Sequence, residues 1–86
     1  MGPTDQSRQS VERGRSRLML KLPELRSNLS KIKEPWLDEL CEAYDLASTA
    51  LEHFRHSSIE SDQALIPEYE ILCREIEADI LRELSG

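Results

Sequence analysis

Apolar residues recur along the chain in three phases that each match a helix. The clearest is Leu37, Leu40, Tyr44, Ala47, Leu51 and Phe54, spaced 3-4-3-4-3. This is an uninterrupted seam on one face of a helix, with Trp36, Ala43 and Ala50 widening it on one flank. Pro35 suits the first turn, where its missing N–H has no partner to lose, and His53, Arg55 and His56 suit the last turn, facing the negative end of the helix dipole. The spacing therefore predicts a helix over about 35–56, some 33 Å long at 1.5 Å per residue.

A second seam, Ile66, Tyr69, Cys73, Ile76 and Ile80, predicts a helix over about 67–84. Pro67, Glu68 and Glu70 stand in its first turn, Arg82 stands in its last, and Gly86 lies just beyond. Between the two helices SSIESDQALI breaks the period with serines and a polar run, and reads as a connection in which Ser58 or Ser61 could cap a single turn. Upstream, Leu18, Leu22, Leu25, Leu29 and Ile32 recur at 4-3-4-3, and Pro23 opens a short helix over about 23–33. The fold class that follows is all-α: an antiparallel hairpin of the two long helices, preceded by the short one, dimerising into a small bundle. Pairing between copies is expected because 86 residues that are 38% hydrophobic make a small core on their own.

Residues 1–15, MGPTDQSRQSVERGR, hold Val11 as their one aliphatic side chain after the initiator, and two glycines. So little apolar surface cannot offset the entropy of ordering the chain, which predicts a flexible basic N-terminal arm ahead of a single helical domain over 16–86. Charge follows the same division. Residues 1–33 carry eight cations against three acids, residues 34–86 carry three against fourteen, and the chain totals −6. Either the basic segment folds back on the acidic helices, or the two parts meet different partners.

Little in this composition supports chemistry. Glycine occurs only at 2, 14 and 86, so no phosphate-cradling loop and no nucleophile elbow can be written. Cys41 and Cys73 fall about 13 Å apart along a hairpin folded near residue 61, which argues against an intrachain disulfide and for reduced thiols. His53 and His56 have a spacing that can share a metal, but no third ligand motif accompanies them. Glu34, Asp38, Glu42 and Asp45 form an acidic ridge, and Glu68, Glu75 and Asp79 another, without a cleft to separate their pKa values. The sequence predicts no enzyme, no cofactor and no metal site. It also lacks an apolar run long enough to span a membrane, and reads as soluble and cytoplasmic.

What remains is binding. The aromatics Trp36, Tyr44, Phe54 and Tyr69 are candidate anchors for a partner protein, with Trp36 the best candidate for an exposed one because Leu37 already fills the seam position beside it. The acidic ridges would steer and select a basic surface. In size and helical architecture the chain resembles small bacterial antiactivators, chaperone-like secretion adaptors and phage-encoded inhibitors. That resemblance implies a stoichiometric regulator that sequesters or inhibits a partner such as a transcription factor. Two other readings stand beside it. In one, Arg8, Arg13, Arg15, Arg17 and Lys21 of the arm contact nucleic-acid phosphates, although the arm lacks interleaved aromatics and the acidic body would repel the same ligand. In the other, the chain is an adaptor or structural subunit of a larger helical assembly.

Overall fold

The computed structural model describes residues 3–85. Met1 and Gly2, the start of the expected arm, and Gly86, the expected stop of the last helix, lie outside the described residues. Every regular element described is helical. Helix α1 spans Pro3–Lys21, a 3-10 turn Pro23–Leu25 leads into α2 at Arg26–Lys31, and α3 spans Pro35–Arg55. A single turn, α4 at Glu60–Gln63, precedes α5 at Ile66–Ser85.

The two seams fall where the periodicity places them. Leu37, Tyr44, Ala47 and Leu51 of α3 are buried against Cys73, Ile76 and Ile80 of α5. The pair is antiparallel, with Tyr44 bonded to Glu77, Ser48 beside Cys73, and Arg55 paired with Glu70. Glu34 has extended backbone and accepts the first bonds of α3 from the Leu37 and Asp38 N–H groups, while Pro35 occupies the first helical position. In the connection Ser57 is the organising residue. Its hydroxyl donates to Asp62 at 2.8 Å and accepts from the Ile59 N–H at 3.1 Å, and its carbonyl accepts from the Gln63 amide. These bonds hold a turn that has little apolar area of its own.

The segment expected to be a flexible arm is helical from Pro3 onward among the described residues, and the boundary expected at residue 15 runs through the middle of α1. Two features missing from a count of aliphatic residues account for this. The first is a buried stripe, Ser10, Gly14 and Leu18, at a spacing of four, which continues through Leu22, Leu25 and Leu29 in the 3-10 turn and α2. Its small members let α1 approach α3 more closely than side chains normally permit. At Gly14 a Cβ would stand 1.7 Å from the Cys41 carbonyl oxygen, so only a hydrogen fits at the crossing. The second feature is charge. Of the two outcomes that the charge asymmetry allows, the basic segment folds back on the acidic one.

Helix α3 therefore lies between α1 and α5, which pack against it on different sides. Its core face is widened by Cys41 and Asp45 beneath α1, not by the expected flank. Trp36 and Ala50 are only half-buried, and Ala43 is exposed. The result is a slab of 40 × 36 × 17 Å whose radius of gyration, 13.7 Å, exceeds the roughly 12 Å of a rounder chain of this length. Among the described residues, no helix is long and apolar enough to cross a membrane.

Candidate functional site

Successive residues turn by 100° around a helix, so positions 38, 42, 45 and 52 of α3 share one flank and positions 36, 43, 46 and 50 share the other. The first flank is closed by α1. At its centre the Asp45 carboxylate is 2% exposed. It accepts from the Ser10 hydroxyl at 2.9 Å and from Arg13 at 3.2 Å, with the Arg17 Nε at 3.6 Å. A carboxylate taken from water needs this many partners, because an unpaired buried charge costs several kcal/mol. Around it Arg15 donates to the carbonyls of Leu29 and Ile32 and to Asp38 at 2.8 Å, Arg17 pairs with Glu52 at 2.6 Å, and Ser7 donates to Glu42 at 2.7 Å. The hydrogen bond from Arg17 holds the Glu52 carboxyl below the usual carboxylate range.

Between α1, α3 and α5 lies an open cleft of about 350 Å³, lined among others by Lys21, Tyr44, Ser48, Cys73, Arg74 and Glu77. Its phenol and its thiol are held neutral. Burial, reinforced by the hydrogen bond to Glu77, pushes the Tyr44 phenol well above its ordinary value, and burial pushes the Cys73 thiol up. Cys41 is raised for the same reason. Both thiols are free and buried, in environments opposite to those that make a cysteine nucleophilic. Among the described residues, no group of three or more His, Cys, Asp and Glu is placed to hold a metal ion.

The second flank of α3 is open. Leu46 is 62% exposed, and Ala43 is exposed beside it. On α5, Glu70, Arg74 and Glu77 turn toward the cleft on the α1 side, so Leu72, Glu75, Asp79 and Glu83 turn to the other side, next to the open flank of α3. Leu72 is 41% exposed. The antiparallel register sets Leu72 level with Ala50 and Glu75 level with Leu46. The hairpin face turned away from α1 thus has an apolar centre, Ala43, Leu46, Ala50 and Leu72, with half-buried Trp36 at one end. Carboxylates of α5 border it: Glu68, Glu75, Asp79 and Glu83. Arg82 of α5 is paired with Asp79.

The expected anchors are dispersed. Tyr44 is buried in the core. Phe54 and Tyr69 meet edge to face at 5.1 Å, at the end of the hairpin near the connection. Trp36 is not the exposed anchor expected of it: it packs half-buried against the core, because the start of α3 lies close to the core formed with α1, α2 and α5. Of the basic residues, Arg13, Arg15 and Arg17 are bonded to α3, while Lys21 lines the central cleft. Arg8 lines a separate open cavity of about 520 Å³ beside Pro35 and Asp38.

Sequence reasoning missed Ser10 and Gly14, although the spacing of four from Ser10 to Leu22 was a readable signal, and it placed Asp45 in an acidic ridge without its burial under α1. It also missed the exposure of Leu46 and Leu72, which depends on which flank of α3 α1 covers. Comparison of the chain with protein-family models, curated proteins and solved structures returns no match.

Proposed function

We propose that the chain is a protein-binding module that acts by occupying a partner, through the hairpin face centred on Leu46 and Leu72. The observation that carries this reading is the contrast across α3. On one side acids and cations of the same chain satisfy each other, and on the other exposed leucines, none of them among the buried core residues described, stand beside a carboxylate border. Exposed aliphatic side chains ringed by charge are the usual composition of a docking patch. A regulator that masks a surface of its partner, including a transcription factor, is the member of this class that the small size favours.

The nucleic-acid reading loses support from the same geometry. Arg13, Arg15 and Arg17 are committed to Asp38, Asp45 and Glu52, and releasing them to phosphate would leave a buried carboxylate uncompensated. The homodimer expected from sequence is also disfavoured at this face, since a second copy would bring carboxylate border against carboxylate border.

The test places a photoreactive side chain at position 46, and separately at position 8, of the full chain in lysate of the source organism. The expected result is one discrete protein adduct from position 46 that survives nuclease and competes with unlabelled chain. Adducts formed only from position 8, and lost with nuclease, would overturn the reading in favour of nucleic acid.

A further inference from the structure

We infer that the occupant of the open hairpin face is a basic amphipathic helix presented by another protein. The inference rests on the protein-binding reading and adds the chemistry of the partner. Two observations carry it.

The first is charge complementarity. Glu68, Glu75, Asp79 and Glu83 of α5 border the apolar strip, and all but Asp79 are exposed. A helix with an apolar stripe would lie along Ala43, Leu46, Ala50 and Leu72 and set Lys or Arg on its flanks opposite these carboxylates. Partners with acidic flanks would be repelled.

The second is internal to the molecule. On its other flank α3 already holds such a helix. α1 carries Arg8, Arg13, Arg15, Arg17 and Lys21 against Asp5 and Glu12. It buries Leu18 and part of Val11 while its guanidinium groups take the α3 carboxylates. The hairpin therefore has carboxylates on both sides of α3, those of α3 taken by a basic helix of its own chain and those of α5 bordering a vacant apolar strip. A partner helix on the vacant flank would repeat chemistry the fold already uses.

The probe is a fluorescent, capped Leu/Ala/Lys peptide of about 20 residues with apolar positions at helical spacing, together with a twin carrying Glu for every Lys. Binding to the full chain is read by anisotropy at about 50 and 500 mM salt. The Lys peptide should bind at least about tenfold more tightly than its twin. Leu46→Glu should weaken it by about tenfold or more. The pair Glu75→Lys and Glu83→Lys should weaken it several-fold, with the difference shrinking at high salt. Glu12→Lys with Glu60→Lys makes the same change in net charge away from this face and should leave the affinity within about twofold. All substituted side chains are exposed, and far-UV circular dichroism melts establish that each variant folds.

Equal losses from the border pair and the control pair would reduce the attraction to net charge and overturn the inference. So would equal binding of the two peptides, or no effect of Leu46→Glu. Self-association by sedimentation that Leu46→Glu abolishes would assign the face to a second copy. The two proposals fail separately. A protein adduct at position 46 with no preference for the Lys peptide retains the docking face and removes the basic helix, whereas peptide preference without any adduct removes the function and keeps the chemistry of the face.

Discussion

The two sides of the α3–α5 hairpin use similar residues under different solvation. Asp45 is covered, so Ser10, Arg13 and Arg17 converge on its oxygens. Across the hairpin, Glu75 and Glu83 of α5 are left to water and need no such partners. The apolar positions divide in the opposite sense, for Cys41 is fully buried under α1 and Leu46 is 62% exposed. A hairpin can thus be acidic on both sides and still have a closed side and an open one. What selects the closed side is the small-residue stripe of α1, because only there can two backbones meet at Gly14 and Cys41. Affinity for an outside partner has to be sought where that stripe is absent.

The largest effect expected on this comparison is the gap between matched leucine truncations. Leu18 and Leu29 are fully buried, and either one replaced by Ala should cost about 2–5 kcal/mol through lost transfer energy and the cavity left behind. Leu46→Ala should stay within about 0.5 kcal/mol. Urea melts of the three variants measure both. A small loss at Leu18 would mean that α1 contributes no core and that both flanks of α3 are open.

Gly14→Ala comes next and turns on sign. In an undocked helix the substitution should stabilise by about 1 kcal/mol, the propensity difference between the two residues. Against the Cys41 carbonyl the added methyl forces a backbone to move, a change that typically costs about 1–3 kcal/mol. A lower midpoint in the urea melt supports the close crossing, and a higher one dissolves it.

These two positions also mark how much was legible in the sequence. Both hairpin helices and the Leu18–Leu29 stripe could be read from period, because a continuous apolar seam has one good helical solution. The 3-10 turn that divides this stripe into two helices follows from Pro23. The docking of α1 could not be read by counting aliphatic residues, since Ser10 and Gly14 contribute through their smallness and Arg13, Arg15 and Arg17 through partners more than twenty residues away. Trp36 was misplaced for a different reason: it packs half-buried against the core although it stands on the open flank of α3, which its position beside the seam does not show. The charge asymmetry did contain the answer, as one of two outcomes that composition alone leaves equal.

A smaller effect is expected at alkaline pH. Cys41, Cys73 and Tyr44 all have folded-state pKa values raised chiefly by burial, so the unfolded chain gives up these protons first. Stability is fully present below the ordinary thiol value of about 8.5 and declines as pH rises past it, with the phenol adding its share above about 10. Urea melts between pH 7 and 11 should show this decline, and Tyr44→Phe should flatten its upper part. An unchanged slope in that variant would mean that the phenol is solvated and that the cleft beside α1 is open to water.

The smallest effect concerns the rim of the closed flank. Arg17 bonds Glu52 at the surface and lowers its carboxyl pKa, first through the hydrogen bond and then through charge. The sign is therefore opposite to that of the thiols. The contribution is present above the ordinary glutamate value and is lost as pH falls through the depressed one. Both side chains are partly in water, so a thermal melt of Glu52→Gln should differ from the parent near the limit of detection. The titration of the Glu52 side-chain carbon by NMR is the sharper measurement. Its midpoint should lie below that of a free glutamate in the parent chain and rise toward the free value in Arg17→Gln. If Arg17→Gln leaves the midpoint where it was, the C-terminal half of α1 does not hold Glu52 in solution. The distinction between a closed and an open side of α3 would then begin only at Asp45.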